Sequence, residues 1–221
     1  MKLNQDQLAN IVGFLNRMEL TQIDLRNEVL DHISEGISEG MFSQQLTFEE
    51  AFAIEKQKWR DDLESHSSYW LGLMWMGPKI MIQKCVKQSK IMYLKATLPA
   101  VIVLLFFYST ENLWKEQILI ILNSFVGIVY IGLFLLLLFL NYKMKRTGYE
   151  TSHSFLFKIN AITFSFLLVL YNPLVSDILS LEKEGSIAYV SLFVHAFTLA
   201  FYCFFVQFYK FHSEVQKMEV A

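Results

Sequence analysis

The chain has 221 residues, 54% of them hydrophobic and 15% aromatic, with twenty Phe; this is too apolar for a single water-soluble core, so part of it must face lipid. The net charge of −2 conceals a segregation, since residues 1 to 75 hold thirteen acids and six bases while residues 76 to 95 hold five lysines and no acid. The negative surplus of the first stretch repels phosphate and excludes a nucleic-acid-binding head, and Cys85 and Cys203 form no C-x-x-C or Cys/His cluster that would predict a disulfide or a zinc site.

Met1 to Asn10 is polar, and no short apolar run followed by small residues precedes residue 90, so the N-terminus is expected in the cytoplasm. Lys in excess of Arg, with many Phe, Ile and Asn, fits an AT-rich coding sequence, most easily a bacterial one. Asn4 is placed to cap a first helix with the apolar stripe Leu8, Ile11, Val12, Leu15 and Met18. Thr21 and Asp24 resemble a capping box for a second helix, whose apolar face is Leu25, Val29, Ile33, Ile37 and Met41 and which Gly40 is expected to end. Thr47 and Glu50 form a cleaner capping box for a third, with Phe48, Phe52, Trp59 and Leu63 on its buried side. The echo Ser34-Glu35-Gly36-Ile37 and Ser38-Glu39-Gly40-Met41 lies within one helix and reads as helical period, since no longer repeat exists.

The second helix carries one polar constellation, Glu28, Asp31, His32, Glu35 and Glu39. Glu28, His32 and Glu35 share a face and could offer two carboxylates and an imidazole to a divalent cation, with His66 as a further ligand. The plainer reading is a solvated acidic face available to a protein partner, because one helix rarely completes a metal shell; no metal is predicted.

The order of a short helix, then Leu25-Arg26-Asn27-Glu28-Val29-Leu30-Asp31-His32-Ile33, a Glu/Gly-rich end, and Thr47-Phe48-Glu49-Glu50-Ala51 opening a third helix resembles the small N-terminal domains of bacterial membrane proteins of the HAAS signalling and permease-prefix type. The resemblance covers about the first 65 residues, and the sequence departs from it by lacking a Gly-Asp/Asn-Pro turn after the third helix. It implies a small helical domain ahead of several transmembrane helices, with a regulatory or adaptor role and no catalytic residues.

Trp70 and Trp75, among Leu71, Leu73, Met74 and Met76, suit the boundary between headgroups and acyl chains. From Lys79 onward, Met81, Ile82, Cys85, Val86, Met92 and Tyr93 fall on one side of a helix and Lys79, Lys84, Lys87 and Lys90 on the other. With Lys95, this predicts a neck helix on the membrane surface, each lysine contributing about 1 kcal/mol near an anionic leaflet. The same amphipathic face would also suit packing on the head.

Four apolar segments follow, at about 96–110, 117–141, 155–176 and 186–209; three are close to the length that spans a hydrocarbon core, and the first is short unless Ile91 to Leu94 extend it below a snorkelling Lys95. Pro99 is expected in the first turn of the first span, and Asn172-Pro173 at the end or kink of the third. Of nineteen Lys and Arg, eleven lie in the head and neck, four at Lys143, Lys145, Arg146 and Lys158, and two in the tail, leaving only Lys115 and Lys183 in the other loops. That bias places both termini in the cytoplasm and the loops bearing Glu111, Glu116, Asp177, Glu182 and Glu184 outside.

The fourth span carries a polar stripe, Ser191, His195, Thr198 and Tyr202, while the second offers Asn123, Gly127 and Tyr130 and the third Asn160 and Thr163. Such stripes hold helices together or line a ligand site, and His195 is the residue to watch. No G-x-G-x-x-G, Walker loop, G-x-S-x-G or H-E-x-x-H occurs, so neither an enzyme nor a cofactor is predicted.

The expected architecture is all-α: a small cytoplasmic three-helix domain (1–66), an amphipathic interfacial neck (67–95), a four-helix transmembrane bundle (96–210) and a cytoplasmic tail (211–221). The expected role is a non-enzymatic regulatory or adaptor protein of the bacterial inner membrane. Its partners would be membrane lipid and either a protein or a second copy of the chain; an accessory or pore-forming transport subunit is the alternative.

Overall fold

A computed structural model describes residues 3–110, 116–172 and 189–220; the side chains of 116–120, Asn123, Tyr189 and 216–220 lie outside that description. Among the described residues the chain is helical apart from one two-stranded ladder, in the order α1 (Gln5–Arg17), α2 (Ile23–Ser43), α3 (Phe48–Leu63), β1 (Ser65–Ser67), β2 (Met76–Pro78), α4 (Lys79–Ser109), α5 (Glu116–Lys145), α6 (Ser152–Leu170) and α7 (Tyr189–Val220). Helices α4 to α7 are each long and apolar enough to cross a membrane, as a multi-pass membrane protein requires. The chain divides into two compact units, one of Met1–Gln88 with Tyr149–Phe155 and Val215–Ala221, the other of Ser89–Gly148 with Leu156–Glu214.

In the first unit, Ile11, Phe14 and Leu15 of α1, Leu25, Val29, Ile33 and Ile37 of α2, and Phe48, Ala51, Phe52 and Leu63 of α3 form the buried core. Phe52 is its centre, edge-on to Phe14 at 6.1 Å and stacked on Phe48 at 5.5 Å. Two expected caps are present. Asn4 accepts from the Gln7 N–H at 2.8 Å while Gln7 returns the bond, and Thr47 and Glu50 do the same. Bonds from the Thr47 N–H and hydroxyl hold the Glu50 carboxyl below its ordinary value.

The expected Thr21–Asp24 box is absent, and Gln22 occupies the cap position without a side-chain bond. Thr21 instead donates to Glu150 at 3.3 Å, and Asp24 accepts from the backbone N–H and the hydroxyl of Ser152, so it caps the first turn of α6. The Ile23 N–H completes the clamp by donating to the Glu150 carbonyl at 2.9 Å.

Gly40 does not end α2, which runs on to Ser43. Gly36 and Gly40 instead face α3: a Cβ on Gly36 would stand 2.5 Å from Glu55 Oε1, and one on Gly40 would stand 3.4 Å from Ala51 Cβ. Glu55 is buried there and takes bonds from Trp59 Nε1 at 3.1 Å and Lys58 Nζ at 3.2 Å. The tandem Ser-Glu-Gly therefore leaves space for a neighbouring helix.

The expected neck over 67–95 divides in two. Ser65–Ser67 and Met76–Pro78 pair antiparallel, with His66 opposite Gly77, and the intervening turns include Gly72 at φ +95°. Helix α4 then continues through Lys95 without a break, because Pro99 is the only helix breaker between Lys79 and Ser109. Pro99 thus lies well inside the helix and not in its first turn. Having no N–H, it leaves the Lys95 carbonyl without its helical donor.

The second unit is dominated by aromatic packing. On α7, Phe197, Phe201, Phe205 and Phe208 recur at helical spacing; Phe201 stacks on Phe164 of α6 at 4.2 Å and Phe205 meets Phe157 edge-on at 5.2 Å. Tyr93 of α4 joins at 5.1 Å from Phe201. Between apolar segments in lipid, dispersion contacts of this kind hold helices together where burial from water cannot. Helix α6 ends at Leu170, before Asn172 as the sequence requires. Pro173, Lys115, Lys183 and the acids expected in the outer loops lie outside the described residues or side chains.

Candidate functional site

The polar stripe of α7 is the site with the most chemistry. Its first member, Ser191, is half-buried; His195, one turn on, meets Tyr130 of α5, with the hydroxyl 2.7 Å from Nδ1 and the rings edge-on at 5.3 Å. With the phenol as donor, Nδ1 is the acceptor and the ring proton sits on Nε2. Thr198 and Tyr202 continue the stripe, both buried and beside Tyr130. Neither the Thr198 Oγ1 nor the Tyr202 hydroxyl reaches hydrogen-bond geometry with a partner among the described residues. Two buried hydroxyls with open valence beside a Tyr–His pair form a polar patch in otherwise apolar surroundings.

The other polar residues of the spans separate from this patch. Asn160 of α6 accepts from the Tyr93 hydroxyl at 2.9 Å and donates to the Leu156 carbonyl at 2.8 Å, so it ties α6 to α4. Thr163 is exposed, and the side chain of Asn123 lies outside the description. His212, which the sequence reading did not single out, is fully buried with Nε2 3.0 Å from the Thr147 hydroxyl.

On α2, Glu28, Asp31, His32, Glu35 and Glu39 are all exposed. His32 stacks on Trp59 at 6.3 Å, and Glu28 lies 3.4 Å from Lys84 Nζ. Among the described residues no three His, Cys, Asp or Glu side chains gather as metal ligands. The face offers carboxylates at helical spacing, with its apolar side turned into the core. An open groove is lined by Phe14 and Met18 at the end of α1 and by Lys56, Gln57, Arg60 and Glu64 along and just after α3. Lys56 and Arg60, one turn apart among acids, were the sequence signal for that groove.

The residues expected to anchor the chain at lipid divide as well. Lys79 pairs with Asp61 at 2.5 Å, and Lys84 sits 3.9 Å from Asp24 as well as near Glu28. Opposite charges of the small helices thus meet these two lysines within the protein, and Met81, Ile82 and Cys85 on the other side of α4 are buried. Lys87, Lys90 and Lys95 are exposed. Trp75 packs edge-on against Phe155 at 5.6 Å, while Trp70 is about half exposed.

Comparison of the chain with protein-family models, with curated proteins and with solved structures finds no match.

Proposed function

We propose that this is a non-enzymatic regulatory or adaptor protein of the bacterial inner membrane, with both termini in the cytoplasm, whose three-helix domain of α1 to α3 binds a protein partner. The carrying observation is the face of α2. Its apolar stripe is buried, and Asp31, Glu35 and Glu39 stand exposed in a row, four residues apart. A regular row of exposed carboxylates suits a basic partner surface, where complementary charge favours the encounter and its specificity. The concentration of Lys and Arg in the head, neck, middle loop and tail supports the orientation. The resemblance of the first 65 residues to HAAS-type domains points to the same role.

The test is purification of the full-length protein in a mild detergent and mass analysis of the intact complex, beside a variant carrying Asp31→Lys, Glu35→Lys and Glu39→Lys. A stoichiometric foreign partner that the variant loses, with its helical content unchanged, supports the reading. Equal recovery by both proteins, or a homo-oligomer alone, refutes it.

A second reading, an accessory or pore-forming transport subunit, draws on the two buried hydroxyls of Thr198 and Tyr202 beside Tyr130 and His195. Unchanged assembly and flux after His195→Leu would end it.

A further inference from the structure

The segment between β1 and β2 is short, turn-built and unusually apolar on its outside. Leu71 is buried and Trp75 packs on Phe155, so two side chains hold the segment to the protein. The Lys79 N–H donating to the Glu64 carbonyl at 3.0 Å closes its base, beyond the ladder of Ser65 with Pro78, His66 with Gly77 and Ser67 with Met76. Gly72 at φ +95° and the bond from the Trp75 N–H to its carbonyl at 3.0 Å fix the turn at the tip. The remaining large side chains point away: Tyr69 is 90% and Met74 94% exposed, and Trp70, Leu73 and Met76 are each more than half exposed.

Five large apolar or aromatic side chains held outward within eight consecutive residues are costly in water. Two features say what covers them. The first is depth. Phe155, on which Trp75 rests, is in the first turn of α6, and that helix has 19 residues. At 1.5 Å per residue it is about 28 Å long, close to the thickness of a hydrocarbon core. To cross a bilayer, α6 must therefore place its first turn at the edge of the hydrocarbon, and the segment is tied to that turn. The second is chemistry. Tyr and Trp concentrate where headgroups meet acyl chains, and no Asp or Glu lies between Glu64 and Glu111 to repel lipid phosphate.

We propose that the hairpin tip formed by residues 68–75, with Met76 at its base, is a membrane-interface anchor that seats Tyr69, Trp70, Leu73, Met74 and Met76 in the headgroup and upper acyl region of the bilayer. It stands apart from the adaptor reading and needs only that α6 crosses the membrane. Leu71 and Trp75 are the structural side of the device, and the five outward residues are its lipid side.

The experiment is fluorescence of the full-length protein and of Trp70→Phe in nanodiscs of phosphatidylethanolamine and phosphatidylglycerol, with and without lipids brominated near the carbonyl end of the chain. The difference between the two proteins isolates Trp70. The anchor requires that this difference signal be quenched by the brominated lipid and shielded from aqueous acrylamide. It also requires the double variant Tyr69→Ser, Met74→Ser, whose changes lie at exposed positions, to lose part of that bromine quenching and regain acrylamide access. A Trp70 signal untouched by bromine overturns the proposal, whether acrylamide reaches it, as for a tip in water, or not, as for a tip covered by protein. Bromine quenching that persists unchanged in the double variant overturns it equally.

Discussion

Gly36→Ala is the sharpest test of how the head is assembled. In an isolated helix this change is favourable by about 1 kcal/mol, because Ala has less backbone freedom to lose than Gly. In the protein the new Cβ would stand 2.5 Å from Glu55 Oε1 and 2.6 Å from its Cδ, nearly an ångström inside ordinary contact. Glu55 cannot withdraw freely, since it is buried and its carboxylate receives the Trp59 indole N–H at 3.1 Å. A shift of that size breaks the bond and leaves a half-buried indole donor unpaired, at about 1–3 kcal/mol, with crowding between α2 and α3 adding a further 1–3 kcal/mol or so. After subtraction of the propensity gain, the expected net loss is about 1–5 kcal/mol. At 1.4 kcal/mol per decade, amide exchange in α2 and α3 should speed up by about fivefold or more. Hydrogen exchange with mass spectrometry on the full-length protein in detergent reads this directly. Gly13→Ala is the control, because the nearest atom to its Cβ would be Arg17 Nη1 at 3.7 Å. That variant should exchange no faster than the wild type and gain up to about 1 kcal/mol in α1. If Gly36→Ala also leaves exchange unchanged or slows it, Glu55 is not held against α2 and the account of the α2–α3 interface is wrong.

Thr47→Ala should cost about 1 kcal/mol, seen as faster exchange confined to the first turns of α3. Glu50 has its folded-state pKa held below the ordinary carboxylate value, so its capping contribution is complete above that value, near pH 4.5, and is lost as pH falls through the lowered one. Thr47→Ala should therefore flatten the acid limb of α3 stability, and an unchanged limb would remove Glu50 as its cause. Asp24→Ala should free the Ser152 N–H and hydroxyl and cost about 1–3 kcal/mol, with exchange rising over residues 150–156 and leaving α3 unaffected. Equal protection there would show that the Asp24 clamp does not hold α6.

What could be read in the sequence was what is local. The stripes of α1 to α3 follow a period of 3.6, and the Asn4 and Thr47 caps are decided within three residues. Asp24 has the right residue type for a capping box, yet its partner Ser152 lies 128 positions away, and no local pattern signals that competition. The lysine-rich start of α4 shows the same limit: Met81, Ile82 and Cys85 mark an apolar face, but a face that suits lipid also suits protein. On α7 the spacing placed Ser191, His195, Thr198 and Tyr202 together, whereas their partner is fixed by the register between helices, which chose Tyr130 and left Asn160 to Tyr93. The aromatic seam at Phe197, Phe201 and Phe205 had an equally regular spacing. Phenylalanine in a span is ordinary, and only the register between helices sets Phe201 on Phe164 at 4.2 Å.

Whether the patch around Tyr130 only joins helices or also receives a ligand can be decided by the sign of a stability change. The Thr198 Oγ1 is buried beside the Tyr130 hydroxyl, and Val has nearly the same shape as Thr. If Oγ1 does no more than lie against the Tyr130 hydroxyl and nothing else binds there, Thr198→Val should be neutral or stabilising by up to about 1 kcal/mol. Tyr130→Phe differs, because it takes away the hydroxyl that meets His195 Nδ1 at 2.7 Å; interhelical bonds in lipid suggest a loss of about 0.6 to 1.7 kcal/mol. Amide exchange over 125–135 and 192–204, measured in nanodiscs, separates the two. Opposite signs would identify the stripe as packing with one surplus hydroxyl. A destabilised Thr198→Val would mean that the hydroxyl has a partner in the membrane-embedded protein, a water or a polar ligand, and the transport reading would gain the site it needs.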